Sequence, residues 1–100
     1  MTQEEEWNKM GWSEVQLIER TKYMELAEGH FEEMHEHAYE EMRIDSTLED
    51  FILEVGDAAI SEYAYQQKQG IPQYMVEEHA RAVVIRMVDE KAEEYGVQYN

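Results

Sequence analysis

The sequence predicts an all-α protein, a small bundle of three long helices preceded by a short N-terminal helix. Strong helix formers dominate the chain, which contains one proline and five glycines in 100 residues. Apolar residues recur at spacings of three and four in three successive segments, which is the period of one helix face. One hundred residues is the length of one domain, so we expect a single acidic helical domain over residues 1–100.

The first two helices are predicted at about residues 3–10 and 13–43. Thr2 with Glu5, and Ser13 with Gln16, have the spacing of the capping box that opens a helix. In the second of these helices the apolar face comprises Leu17, Met24, Ala27, Phe31, Met34, Ala38 and Met42.

Gly29 is the expected weak point of that long helix, because an internal glycine costs about 1 kcal/mol relative to alanine. An unbroken helix of this length would extend ~45 Å, more than a small monomer covers on its apolar side. We therefore expect either a kink near Gly29 and His30 or pairing of two chains in a homodimer.

The last two helices are predicted at about residues 47–69 and 72–95. Ser46 with Glu49 again has capping-box spacing, which predicts that Ser46 opens the earlier of the two. Gly70 follows as a helix stop, and Pro72 suits the first turn of the final helix.

Composition excludes several classes of function. The absence of cysteine excludes disulfides, thiolate zinc sites and iron–sulfur clusters. No apolar run is long enough to span a membrane, and the first residues lack the pattern of a signal peptide, so we expect a cytoplasmic protein. A net charge of -16 disfavours direct binding to nucleic acid or to an anionic membrane. No nucleophile or phosphate-loop motif is present, and we predict neither enzymatic activity nor a cofactor.

The acidic residues are unevenly distributed. The 45 residues from Tyr23 to Gln67 hold thirteen acids and one base, whereas solvated helices usually mix the two signs. One helix face carries an acidic row, which we define as Glu25, Glu28, Glu32, Glu36 and Glu40. On a continuous helix this row rises about 6 Å per step, close to the phosphate spacing of a nucleic-acid strand.

These features predict a non-catalytic protein that binds a basic partner, such as a nucleic-acid-binding protein, and inhibits it by imitating phosphate charge. Phage and mobile-element inhibitors can have this size and acidity. Tyrosines near the second turn would supply apolar anchors. The predicted contact residues are Glu28, Glu32, Glu36, Glu40, Asp50, Glu54, Asp57, Tyr63, Tyr65 and Tyr74.

The histidine-rich segment supports an alternative, a metal-binding or ferritin-like di-metal helical protein that would act as a metal-dependent oxidoreductase. His30, Glu33, His37 and Glu41 fall in one column of a helix, and imidazole with carboxylate suits zinc, iron, nickel or copper. Glu32 with His35 has the Glu-x-x-His spacing of ferritin-like di-iron helices, but the motif does not recur around His79.

The alternative to the metal column is that these histidines lie on a solvated helix face, and this interpretation predicts no metal site. His79 falls on the apolar row of the last helix, which predicts a half-buried core residue. A structural helical subunit, acidic only for solubility, is the remaining class of function.

Overall fold

The computed structural model describes residues 14–96, and over that range the chain is entirely helical and turn, without strands. The four helices are α1 (Glu14–Met34), α2 (Glu36–Ile44), α3 (Leu48–Lys68) and α4 (Gln73–Gly96). The all-α prediction is confirmed for these residues. The short helix predicted at about residues 3–10 and the cap at Ser13 lie outside the described range. Within that range no helix combines the length and apolarity needed to cross a bilayer.

The core forms where α1, α3 and α4 pack on one another, with α2 covering one end. The predicted helical period accounts for this packing, because each long helix turns an apolar stripe inward. The buried side chains include Tyr23, Ala27, Phe31, Ala38, Tyr39, Met42, Phe51, Ile52, Val55, Ala59, Ile60, Tyr63, Val76, Ala80, Val84, Val88 and Ala92.

The long helix predicted at residues 13–43 breaks at His35, and not at Gly29. His35 has φ -140° and ψ 53°, outside the helical region, whereas Gly29 is an ordinary helical residue. Hydrogen bonds cross the break, since the His35 amide donates to the Phe31 carbonyl at 2.9 Å and the Tyr39 amide donates to the His35 carbonyl at 2.9 Å. The break lets the chain bend, which removes the physical reason for expecting a homodimer.

The break also changes which side chains reach the core. Met34, predicted on the buried face, is 64% exposed because it ends α1 just before the bend. Beyond the bend, Ala38, Tyr39 and Met42 of α2 are buried as predicted. Phe31 bridges the two helices, with its ring centroid 6.3 Å from that of Tyr39.

The turn after α2 shows that the predicted capping box at Ser46 is wrong. Ser46 has φ 61°, in the left-handed region, and its amide donates to the Arg43 carbonyl. The Thr47 amide donates to the Met42 carbonyl at 3.0 Å, so the two bonds form the Schellman motif that closes a helix. Ser46 therefore ends α2, while Thr47 occupies the N-cap position of α3 without a side-chain capping bond.

The turn after α3 has the same pair of Schellman hydrogen bonds, and here a glycine occupies the left-handed position. Gly70 has φ 74°, its amide donates to the Gln67 carbonyl, and the Ile71 amide donates to the Gln66 carbonyl. Glycine adopts this left-handed conformation without the steric cost of a Cβ. The predicted helix stop at Gly70 is confirmed.

Candidate functional site

The acidic row lies on the solvent side of α1 and α2, and all five of its residues are exposed. The break at His35 falls between Glu32 and Glu36, so the row does not run along one straight helix. The regular rise of about 6 Å per step, which depended on a continuous helix, is therefore not maintained across the bend.

Carboxylates on both sides of the bend line a shallow groove, which we call the acidic groove. It is lined by Gly29, Glu32, Glu33, Glu36 and Glu40. A side-chain carbon at Gly29 would have no neighbour within 4 Å, so this glycine leaves the groove open.

Internal cations neutralise little of the acidic groove. Glu40 pairs with Arg43 at 3.1 Å on the exposed surface. Among residues 14–96, no ion pair involves Glu32, Glu33 or Glu36. Three carboxylates of the acidic groove thus have no ion-pair partner among the described residues.

The other predicted contact acids lie outside the acidic groove. Glu28 accepts a hydrogen bond from the Tyr39 hydroxyl at 3.2 Å, and burial together with this bond raises the pKa of Tyr39. Asp50 and Glu54 are exposed on α3. Asp57 accepts a hydrogen bond from the Arg20 Nε at 2.7 Å, so its charge already serves an internal contact.

The three predicted tyrosines do not form one anchor. Tyr63 is 2% exposed and accepts a hydrogen bond from the Gln73 amide at 2.6 Å, which makes it part of the core. Tyr65 and Tyr74 are exposed. Tyr74 lines a separate groove of mixed charge that includes Lys22 and Arg81.

A second cluster joins two histidines to an aspartate of α4. The distance to Asp89 Oδ1 is 3.0 Å from His30 Nε2 and 2.7 Å from His35 Nε2. The carboxylate can only accept hydrogen bonds, so both imidazoles carry the donated proton on Nε2. Hydrogen bonds from His35 and His30 lower the pKa of Asp89 below its ordinary value. We call these three residues the histidine–aspartate cluster.

The cluster is partly shielded but reachable from solvent. The side chains of His30, His35 and Asp89 are 20%, 30% and 50% exposed. One potential ligand atom from each residue falls in a group whose members all lie within 4.8 Å of one another. In the described part of the chain this is the one such group of three.

The structure separates the metal column predicted from sequence. His30 turns to Asp89, while Glu33 lines the acidic groove. His37 and Glu41 form an exposed pair of their own at 3.9 Å. The Glu-x-x-His unit divides in the same way, because Glu32 lines the groove and His35 binds Asp89.

Sequence reasoning missed Asp89, which is 59 residues from His30 and 54 from His35 along the chain. Its only local signal is its position beside the buried Val88, at the edge of the apolar stripe of α4. His79, predicted to be half-buried in the core, is exposed instead.

Comparison with known proteins finds no matching family model, no similar curated protein and no similar solved structure.

Proposed function

We propose that this protein is a non-catalytic interaction domain that binds a basic surface on another protein and thereby competes with nucleic acid for that surface. The observation that carries the proposal is the acidic groove, where Glu32, Glu33 and Glu36 are exposed and lack an internal cation within residues 14–96. Carboxylates that fold stability does not use are free to pair with lysine and arginine side chains of a partner.

The proposed mechanism combines long-range attraction with a local fit. A net charge of -16 accelerates encounter with a cationic surface and repels nucleic acid itself. Gly29 lines the acidic groove without a side chain, so a long basic side chain of the partner would approach the glutamates there. Met34 follows Glu33 directly and is exposed, so it supplies an apolar contact that a bound partner would desolvate.

Charge reversal inside and outside the acidic groove tests this proposal. The first variant carries Glu32→Lys and Glu36→Lys. The control carries Glu90→Lys and Glu93→Lys, which change two exposed glutamates of α4 and produce the same net charge. A partner captured from lysate is used in a competition assay with its own nucleic acid, at two salt concentrations.

We expect the groove variant to weaken binding by about tenfold or more and the control by less than about threefold, because attraction in the groove becomes repulsion. Affinity of the parent protein should fall as salt rises. Equal losses in both variants would show that total charge, and not the groove, determines binding. Direct binding of the parent to DNA or RNA would contradict the competitive mechanism.

A further inference from the structure

We propose that the histidine–aspartate cluster binds one divalent transition-metal ion of the zinc type, through His30 Nε2, His35 Nε2 and a carboxylate oxygen of Asp89. This site is separate from the acidic groove, and neither proposal depends on the other.

The donor atoms are close to the arrangement that such an ion requires. Zinc binds imidazole nitrogen and carboxylate oxygen at about 2.0–2.2 Å, which places tetrahedral ligands about 3.4 Å apart. The present separations from Asp89 Oδ1 are 2.7 and 3.0 Å. Once each imidazole has moved its proton from Nε2 to Nδ1, side-chain shifts of less than about 1 Å would replace the two hydrogen bonds with three metal–ligand bonds.

The break in the helix is what brings the two imidazoles together. Residues five apart on a regular helix point in directions that differ by about 140°, so His30 and His35 would otherwise diverge. With His35 at φ -140° and ψ 53°, the two ring centroids are 5.9 Å apart. The break involves neither proline nor glycine, the usual causes of a kink.

The surrounding core holds one of the ligands in place. The buried Phe31 packs edge-on against His35, with ring centroids 6.1 Å apart and an interplanar angle of 88°. Asp89 follows Val88, which anchors that turn of α4 in the core. Ligands fixed by such packing lose less conformational freedom when an ion binds.

The donor set determines the class of metal. Two imidazoles and one carboxylate suit zinc and its neighbours in the first transition row, whereas calcium and magnesium prefer oxygen ligands alone. Three protein ligands leave a fourth tetrahedral position to water. Because the donors come from α1, from the residue between α1 and α2, and from α4, the ion would also cross-link separate parts of the fold.

The experiment titrates zinc into the full-length, untagged chain after treatment with a chelator. Calorimetry gives stoichiometry and affinity, and cobalt in place of zinc gives a visible spectrum that reports coordination geometry. The site variants are Asp89→Asn, which preserves side-chain shape, and His30→Gln. The matched controls are His37→Ala and His79→Ala, which remove histidines outside the cluster.

We expect one ion per chain, a loss of about tenfold or more in affinity for each site variant, and less than about twofold for each control. Imidazole nitrogen NMR should show His30 and His35 responding together and reaching saturation at one equivalent. Circular dichroism of each metal-free variant establishes that it is folded.

Two results would overturn the proposal. One is binding that is weak and not saturable, which would leave the cluster as a hydrogen-bonded contact alone. The other is a folded Asp89→Asn variant that binds zinc as tightly as the parent, since the ion would then be held elsewhere.

Discussion

The two halves of α1 are attached to the rest of the molecule by contacts of similar geometry and different chemistry. Near its start, Arg20 is 17% exposed and donates to Asp57 of α3, which is 49% exposed. Near its end, His30 and His35 bind Asp89 of α4 with similar burial. A guanidinium stays protonated and does not bind metals, whereas imidazole is the commonest protein ligand for them. The first contact is suited to holding the fold together, and the second also contains the donor atoms of the proposed metal site.

Two glycines, one near each of these contacts, allow the packing around α1 to be compared. A side-chain carbon at Gly56 of α3 would lie 2.5 Å from Met24 Cγ and 3.1 Å from its sulfur, so α1 and α3 approach closely next to the Arg20 contact. At Gly29, beside His30, the corresponding position is open. The close approach of α1 and α3 lies next to the permanent ion pair, whereas Gly29 faces solvent in the half of α1 that buries Phe31 in the core.

The largest loss of stability is expected for a core residue in the second half of α1. Phe31→Ala should lower the free energy of unfolding by about 3–5 kcal/mol, because Phe31 is fully buried against His35, Tyr39 and Phe51. Denaturant unfolding measures the loss. Met34→Ala, three residues along α1 and exposed, is the control and should change stability by less than about 0.5 kcal/mol. Similar effects for the two variants would contradict the assigned core.

The two glycines test the packing difference with one substitution. Gly56→Ala should destabilise the protein by about 1–3 kcal/mol, because the new methyl group displaces Met24. Gly29→Ala should stabilise it by about 0.5–1 kcal/mol, since a helical position with free space gains helix propensity. Thermal melts of both variants give the signs. Stabilisation by both would mean that α1 and α3 are not closely packed at Gly56.

Substitution of Asp57 or Asp89 should have the smallest effect on stability, and it compares the two contacts of α1 directly. Asp57→Asn and Asp89→Asn should each cost about 1 kcal/mol at pH 7, by weakening a partly exposed hydrogen bond to a cation or an imidazole. The lowered pKa of Asp89 adds a pH dependence. Its contribution is present above the unfolded pKa of about 3.9 and is lost as the pH falls through the folded value.

The difference between the parent and Asp89→Asn should therefore shrink below about pH 4, as followed by circular dichroism melts across that range. Added zinc should raise the melting temperature of Asp57→Asn more than that of Asp89→Asn. An equal rise in both variants would place the ion away from Asp89.

Local patterns in the sequence predict the helices, but they do not predict helix ends that depend on tertiary contacts. The stop after α3 was predictable because glycine at position 70 favours the left-handed conformation found there. The predicted capping box at Ser46 was wrong because a short polar side chain suits a helix start as well as a turn. Packing of α2 against the core favours the turn.

In the candidate sites too, sequence spacing predicts some features, while others depend on contacts between residues that are distant in the chain. The acidic row follows from sequence spacing, and its members are exposed as that spacing implies. The break at His35 has no proline or glycine to mark it, and the nearby contacts of His35 with Phe31 and Asp89 depend on the folded chain. The partner of both histidines is more than fifty residues away, so no helical period could identify it.

Burial of Tyr23 makes the stability of the protein depend on pH in alkaline solution. Its hydroxyl is buried and has no hydrogen-bond partner within residues 14–96, and burial, with smaller contributions from Glu19 and Glu77, raises its pKa well above the ordinary tyrosine value. Folding therefore opposes ionisation of this ring, and the associated stability is lost as the pH rises above about 10, where the unfolded chain ionises first. The exposed Tyr65 and Tyr74 do not share this burial. Ionisation of Tyr23 in alkaline solution is therefore expected to accompany opening of the core.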